Sequence, residues 1–443
     1  MMGRITRQFA RSLAAVLALA VVVAAGAQGR QVYDLKRVVE TALANYPGLA
    51  AAAEDTAAAR AQVGQAVAAA RPKLDAKFGY TRLQDDPSFT VPGFGTLVFG
   101  ERNNYQAEVD LQVPVYTGGL LEGMKDRAKA GEDAALKTEE RRRQEVAANA
   151  AKAYFQALSA QRMIGVMEGQ VKALQESHRA AKAMFEAGTV AKLDVLRPEV
   201  ALAAGEDGLR QAQSGYDVAL ASLANAIGLA PGAPLELAAD AVTLPIPEDV
   251  GAARKTALDQ RPELAQLAAN RRAALASETM ARSGKKPQVG VFARNEFKRP
   301  TTYPDTGDWS VGVQLTQNLF DGGAVDAQSA EAAARIRQLD DRQRELRNGI
   351  ALEVTAALLN AYSARDRIAT TSKAVAAAEE ALKLAQVGYA NAVTPMLDVL
   401  QAQAALTRAR ADAENAAYDY NVAAIGVASA MGEIGMMAAQ PAK

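Results

Sequence analysis

Few residues of this chain are of a type that makes or breaks bonds. It has no cysteine and a single histidine, His178. That excludes thiolate catalysis, disulfides and cysteine metal centres, and one imidazole without partners makes no usual zinc site. His178 reads as an exposed helix residue. Gly118-Gly119 and Gly322-Gly323 lack the Lys-Ser/Thr of a phosphate cradle and read as tight strand-to-helix turns. Glu139-Glu140-Arg141-Arg142-Arg143 reads as a solvated helix face. No nucleophile–base set is readable, so the chain is not expected to be an enzyme or to carry a cofactor. Asp194 and Asp398 each stand inside a Leu-Asp-Val-Leu segment and read from the residues alone as helix-start caps.

The elements that position these carboxylates are written twice. Residues 112–119 return as 316–323 and Leu193-Asp194-Val195-Leu196 returns as Leu397-Asp398-Val399-Leu400, both at an offset of 204 residues. Upstream, Arg71-Pro72-Lys73-Leu74 returns as Lys286-Pro287-Gln288-Val289 at an offset of 215, so the first copy holds eleven extra residues between Pro72 and Gly118. The expected division is a first repeat at 28–229, a linker rich in proline at 230–250, a second repeat at 251–432 and a tail at 433–443. Each repeat reads as helix, two strands, long helix, helix. The first helices fall at about 35–70 and 250–283, and Pro47 and Pro262 break or kink them. After each glycine pair the pattern is helical for about 70 residues, near 100 Å at 1.5 Å per residue.

The start of the chain predicts export. Arg4, Arg7 and Arg11 precede an apolar run over 13–25, and Ala25-Gly26-Ala27 supplies small residues for cleavage, so residues 1–27 read as a signal peptide. Lys plus Arg and Asp plus Glu both number 50; without the three leader arginines the balance is slightly acidic, which speaks against a nucleic-acid partner. No later segment is apolar for the length of a membrane helix. Four segments alternate instead, at about 73–83, 104–116, 287–297 and 309–320. Leu74, Ala76, Phe78 and Tyr80 oppose Asp75, Lys77, Gly79 and Thr81; Val109, Leu111 and Val113 oppose Glu108, Asp110 and Gln112; Trp309, Val311, Val313 and Leu315 oppose Ser310, Gly312, Gln314 and Thr316. In the third segment Phe292 breaks the pattern on the polar face. The long polar helices look unable to cover the apolar faces, which suit barrel strands facing lipid on one side and a lumen on the other. One chain supplies too few strands to close a barrel, and open edges in lipid are costly. Two or three chains both give an even-stranded barrel. The segments 84–103 and 298–308, rich in Pro, Gly, Asp and Thr, read as exposed loops. A soluble coiled-coil scaffold without a pore is the competing reading.

The duplicated plan, the strand endings Tyr116-Thr117-Gly118-Gly119 and Phe320-Asp321-Gly322-Gly323, and the twin Leu-Asp-Val-Leu segments together resemble the TolC-like outer-membrane efflux proteins over essentially the whole mature chain. The resemblance implies a mainly α fold with a transmembrane β part: four strands and long helices per protomer, assembled as a homotrimer with a 12-stranded barrel and an α-helical periplasmic tunnel. It implies a passive exit duct in the outer membrane of a Gram-negative cell, reaching into the periplasm. The partners would be a periplasmic adaptor (membrane fusion protein) and an inner-membrane efflux pump or ABC exporter, and the cargo either small molecules or, in type I secretion, protein. By the same resemblance the helix-hairpin tips dock the adaptor through Gly188, Thr189, Val190, Leu193 and Val195 in one repeat and Thr394, Pro395, Leu397 and Val399 in the other. Asp194 would bond Tyr389 as a latch, and Asp398 would line an iris-like constriction one turn from Gln401, where the family often has a second acid. Thr394 replaces a basic latch residue, and Ala392 replaces the second tip glycine. Pro395 suits a first helical turn, and Pro198 requires such a turn or a kink.

Overall fold

The computed structural model describes residues 32–98, 100–238, 243–299 and 308–434. The expected leader, most of the loop 298–308 and nearly all of the tail lie outside these residues. The helices are α1 Leu35–Asn45, α2 Pro47–Ala68, α3 Leu120–Glu186, α4 Lys192–Ala226, α5 Val250–Gln260, α6 Pro262–Ser283, α7 Ala324–Ala390 and α8 Met396–Met431. The strands are β1 Val32–Tyr33, β2 Lys73–Arg82, β3 Ser88–Val91, β4 Gly95–Val98, β5 Asn103–Tyr116, β6 Glu236–Leu237, β7 Gln288–Arg299 and β8 Asp308–Thr316. Pro47 and Pro262 each begin a new helix, because Tyr46 and Arg261 before them take the extended conformation that a following proline favours. Pro198 is accommodated inside α4 and buried there.

The chain divides into two compact units. One holds residues 51–140 and 262–348, with a four-stranded antiparallel sheet in the order β2-β5-β7-β8. Register fixes its two faces. Leu74, Leu111, Ala293 and Val311 form one lateral row, and Ala76 and Val109 stand in the next with Asn295 and Trp309. Among the described residues no helix covers this face: Phe78 is 83% exposed and Trp309 75%. On the other face Arg294 stands 3.3 Å from both Glu108 and Asp110, and the amide of Gln106 donates to Glu296 at 2.6 Å. Phe292 breaks the alternation because it lies over Gly312, where an added Cβ would stand 2.8 Å from its ring. A glycine opposite an aromatic makes room for the ring.

Three features depart from the sequence reading. The first loop carries a hairpin, β3 paired with β4, where an unbroken loop was expected. β8 ends at Thr316, short of the expected 320, since Asp321 turns back to start α7: its carboxylate accepts from the backbone N–H of Gly323 and of Val325, both at 2.9 Å. Those two bonds, the Val325 one first, lower its pKa. In the first repeat Thr117 has this role, its hydroxyl accepting from the N–H of Leu121 at 3.3 Å. The third feature is a parallel pair, β1 with β6, too short to show in any periodicity.

Both glycine pairs sit at positive φ, +67° and +100° at Gly118 and Gly119, +65° and +90° at Gly322 and Gly323. Their surroundings differ. A Cβ on Gly118 would stand 2.8 Å from Cβ of Lys286 and 3.0 Å from the Ser283 carbonyl oxygen, whereas Gly322 has nothing within 4 Å. Gly322→Ala therefore incurs the left-handed penalty alone, about 1–2 kcal/mol. Gly118→Ala incurs more, because backbone must move as well. Thermal unfolding in detergent should give the larger Tm loss for Gly118→Ala; equal losses would contradict the packing argument.

The second unit holds residues 141–261 and 349–434 together with 32–50. Val38, Ala42, Tyr154, Phe155, Leu223, Ile227 and Ile425 are central to its main core. The segment after β6 is strapped to this core. The Tyr420 hydroxyl donates to the Leu244 carbonyl at 2.7 Å, and the Leu244 N–H donates to the Asn421 side chain at 3.2 Å.

Candidate functional site

The two helix hairpins α3–α4 and α7–α8 end in turns built alike. After α3, the N–H of Gly188 reaches the Phe185 carbonyl at 2.9 Å and that of Thr189 the Met184 carbonyl at 2.9 Å. After α7, Ala392 bonds the Tyr389 carbonyl at 3.0 Å and Val393 the Gly388 carbonyl at 2.8 Å. Each is a Schellman ending, which demands a left-handed residue just past the helix. Gly188 meets that demand at φ +75°, but its counterpart Ala392 meets it at φ +55° with a Cβ. The turn is held from below by Thr394. Its hydroxyl donates to the Ala385 carbonyl at 3.1 Å and fills the space above Gly388, where a Cβ would come within 2.6 Å of it. Ala392→Gly should relieve the left-handed strain, and after the added chain entropy of glycine should raise tip stability by about 0.5–1 kcal/mol. Slower hydrogen exchange at residues 388–394 is the expected readout; unchanged exchange would mean that the turn is not strained.

Asp194 and Asp398 both fall in the first turn of their helices, α4 and α8. Neither is the cap residue: Ala191 and Pro395 hold those positions, without a side-chain cap bond. The carboxylates gain from the helix dipole there and remain available for other work. Asp398 is exposed, and so is Gln401 one turn on; Leu193, Leu397, Gly188, Thr189 and Pro395 are also exposed, while Val190 and Thr394 are half-buried. The opposite face of α8, with Met396, Val399, Gln403 and Leu406 at helical spacing, is buried against Ala181, Leu382 and Tyr389. Val399, expected on the docking surface, is thus 2% exposed, and Val195 packs half-buried against the same cluster. Both shape the tip from within, since position 399 follows 396 on the inward face.

Tyr389 is 8% exposed, and its hydroxyl has no hydrogen-bond partner among the described residues. Burial raises its pKa, and the nearby Asp194 charge raises it further. The two residues expected to latch are therefore close but unbonded within one chain. Gln403 was not singled out from the sequence; it is 2% exposed, with neither side-chain amide atom bonded. Its signal was the buried spacing 396, 399, 403, 406. Among the described residues no group of acids and histidine could hold a metal ion.

One unit thus carries a four-stranded antiparallel sheet with an exposed apolar face, the other two matching hairpin tips with a half-buried Asp194 and an exposed Asp398, and helices of 67 residues run in both repeats; this is the pattern of a channel subunit. The profile of the outer membrane efflux proteins matches residues 38–229 and 253–433, and the chain belongs to this family. It is 28% identical over 408 residues to the alkaline protease secretion protein AprF of Pseudomonas aeruginosa, covering 86% of this chain and 80% of that protein. It is 21% identical over 420 residues to the outer membrane protein TolC of Escherichia coli, covering 91% and 83%. The solved structure of the outer membrane protein VceC of Vibrio cholerae matches at a TM-score of 0.75 and 19% identity, covering 90% of this chain and 96% of that one. The protein is accordingly an outer-membrane exit channel extending into the periplasm, not an enzyme.

Proposed function

We propose that three copies of this chain form the exit duct of a tripartite efflux system. The observation that carries this reading is the sheet: among the described residues its outer strands, β2 and β8, are paired on one side only, and one face is mainly apolar, with Phe78, Trp309, Val311 and Val313 exposed. In lipid each open edge must find another strand, and three copies supply twelve. An inner-membrane pump delivers cargo through a periplasmic adaptor, which docks on the hairpin tips at Gly188, Thr189, Leu193, Pro395 and Leu397. The duct conducts passively, and its constriction is lined by Asp398 with Gln401 behind it. Residues 28–229 and 251–432 act as its two repeats, and the leader 1–27 directs export. Purified protein should need detergent, give a trimer mass in native mass spectrometry and conduct in planar bilayers. A stable, non-conducting monomer in plain buffer would leave the coiled-coil scaffold in its place.

A second reading keeps the duct and changes the cargo to protein, with an ABC exporter as the inner-membrane partner. The likeness to AprF, whose name is that of an alkaline protease secretion protein, favours it. Capture of the adaptor with the tagged duct distinguishes the two, according to whether an ABC exporter or a small-molecule pump comes with it.

A further inference from the structure

In the unit that carries the sheet, ion pairs give the order of the helices. Arg60 of α2 meets Glu132 of α3 at 3.0 Å, Asp133 of α3 meets Arg272 of α6 at 2.9 Å, and Arg271 of α6 meets Asp340 of α7 at 2.6 Å. This rung runs α2, α3, α6, α7, as the sheet runs β2, β5, β7, β8. The first repeat therefore meets the second along one seam, with β5 beside β7 and α3 beside α6.

The α3 flank on that seam is covered and its copy in the second repeat is bare. Gly123 is buried against Met280 and the Ala276 carbonyl, and Ala130 and Ala134 continue the buried stripe at helical spacing. The offset of 204 residues carries these three to Ala327, Ala334 and Gln338 of α7, all exposed. The receiving helix shows the same contrast. Ala276 and Ser283 of α6 are buried, and the offset of 215 carries them to Ala61 and Ala68 of α2, both exposed.

The strands add a register. Leu74 pairs with Leu111 and Val289 with Leu315, so the two hairpins are in one register at the same two offsets. β5 continues to Tyr116 beside β7, past its last pairing with β2 at Gln112. Among the described residues β8 has no strand on the corresponding side. It stops at Thr316, and Leu319 and Phe320 beyond it are 90% and 89% exposed.

We propose that the seam between the repeats recurs between copies, β8 of one copy pairing antiparallel with β2 of the next while α7 lies beside its α2. This rests on the homotrimeric reading above and adds the register of its interface. Carried forward by the two offsets, the β5–β7 pairs set Leu315 opposite the next copy's Phe78 and Val313 opposite its Tyr80. On the other face Thr316 meets the next copy's Lys77, and Gln314 its Gly79. Apolar positions thus meet apolar ones on the lipid side, and a slip of one residue would undo this. Phe320 falls opposite the next copy's Leu74, as Tyr116 falls opposite Val289, so β8 gains a neighbour as far as residue 320. The contact is head-to-tail and closes as a ring, leaving no strand edge open in lipid. Its helices stand farther apart than α3 and α6 do. A Cβ on Gly123 would lie 3.0 Å from the Ala276 carbonyl oxygen, and Ala327 brings such a Cβ to the equivalent place. Gly322 accordingly gains no contact as tight as that of Gly118.

Residues directly opposite on antiparallel strands have Cα atoms about 4.5–5.5 Å apart, within reach of a disulfide. The chain has no cysteine, so Thr316→Cys with Lys77→Cys in one chain should give dimers and covalent trimers when the detergent-purified protein is oxidised. Either variant alone should stay monomeric on a non-reducing denaturing gel. So should Gln314→Cys with Lys77→Cys, a diagonal pair about 7–8 Å apart. A trimer by native mass spectrometry in which the diagonal pair cross-links instead, or neither pair does, would overturn the register and leave the homotrimer standing. A monomer by native mass spectrometry for the unsubstituted chain would overturn the homotrimer and this seam with it. Independently, the amides of Leu319 and Phe320 should exchange in the trimer as slowly as those of Val115 and Tyr116; exchange at the rate of an open loop would overturn the lengthening of β8.

Discussion

Val313→Arg should abolish assembly into the outer membrane, while Gln314→Arg at the adjacent position should be tolerated. The two residues are neighbours on β8 and point to opposite faces of the sheet. Val313 pairs across to Val291 in an apolar row and is 70% exposed. Gln314 pairs to Gly290, which in turn faces Pro114, so an arginine there meets no like charge within its row. Arginine at the lipid midplane costs about 2–4 kcal/mol in a barrel, and a homotrimer incurs that cost three times. Even the lower figure for one copy corresponds to about a 30-fold loss of assembled protein. The measurement is the amount of folded oligomer in outer-membrane fractions. Equal amounts for both variants would mean that the apolar face does not meet lipid.

Asp398→Ala should lower the affinity for blocking multivalent cations in single-channel recordings by on the order of tenfold or more if Asp398 lines the proposed constriction, where three carboxylates would sum their attraction on the axis. The effect should weaken as salt rises, since exposed charges are screened. Asp194→Ala supplies the contrast. Asp194 lies near Tyr389 rather than beside the exposed Gln401, so cation block should survive its removal while resting conductance changes. Tyr389→Phe separates latch from core: the buried hydroxyl has no partner among the described residues, so its loss costs no bond there. A rise in conductance would then report a partner supplied by the closed assembly. Block that persists unchanged in Asp398→Ala would take Asp398 off the pathway.

The matched backbone of the two hairpin turns could be read from the repeat. The repeat places Gly188 opposite Ala392 and Asp194 opposite Asp398, and both pairs adopt matching backbone positions. The docking face was harder to read. Val399 and Leu397 are both apolar and two residues apart, and local sequence does not say which of them a neighbouring helix covers. Packing against Ala181 and Leu382 decides it. The same holds for Phe292, whose place on the polar face makes sense only once Gly312 is found beneath it.

By itself the sequence determined the elements that depend on local geometry: strands from a period of two, helices from their length and alanine-rich pattern, breaks at Pro47 and Pro262, and turns at the glycine pairs. It also determined the duplication, because identical spacings survive in the chain. Tertiary structure decided what depends on partners far along the chain. The order β2-β5-β7-β8 joins the two repeats at β5 and β7, β1 finds β6, and the rung from Arg60 to Asp340 spans four helices. A side chain's own neighbours fix its conformation, but only the folded chain chooses which distant charge or edge it meets.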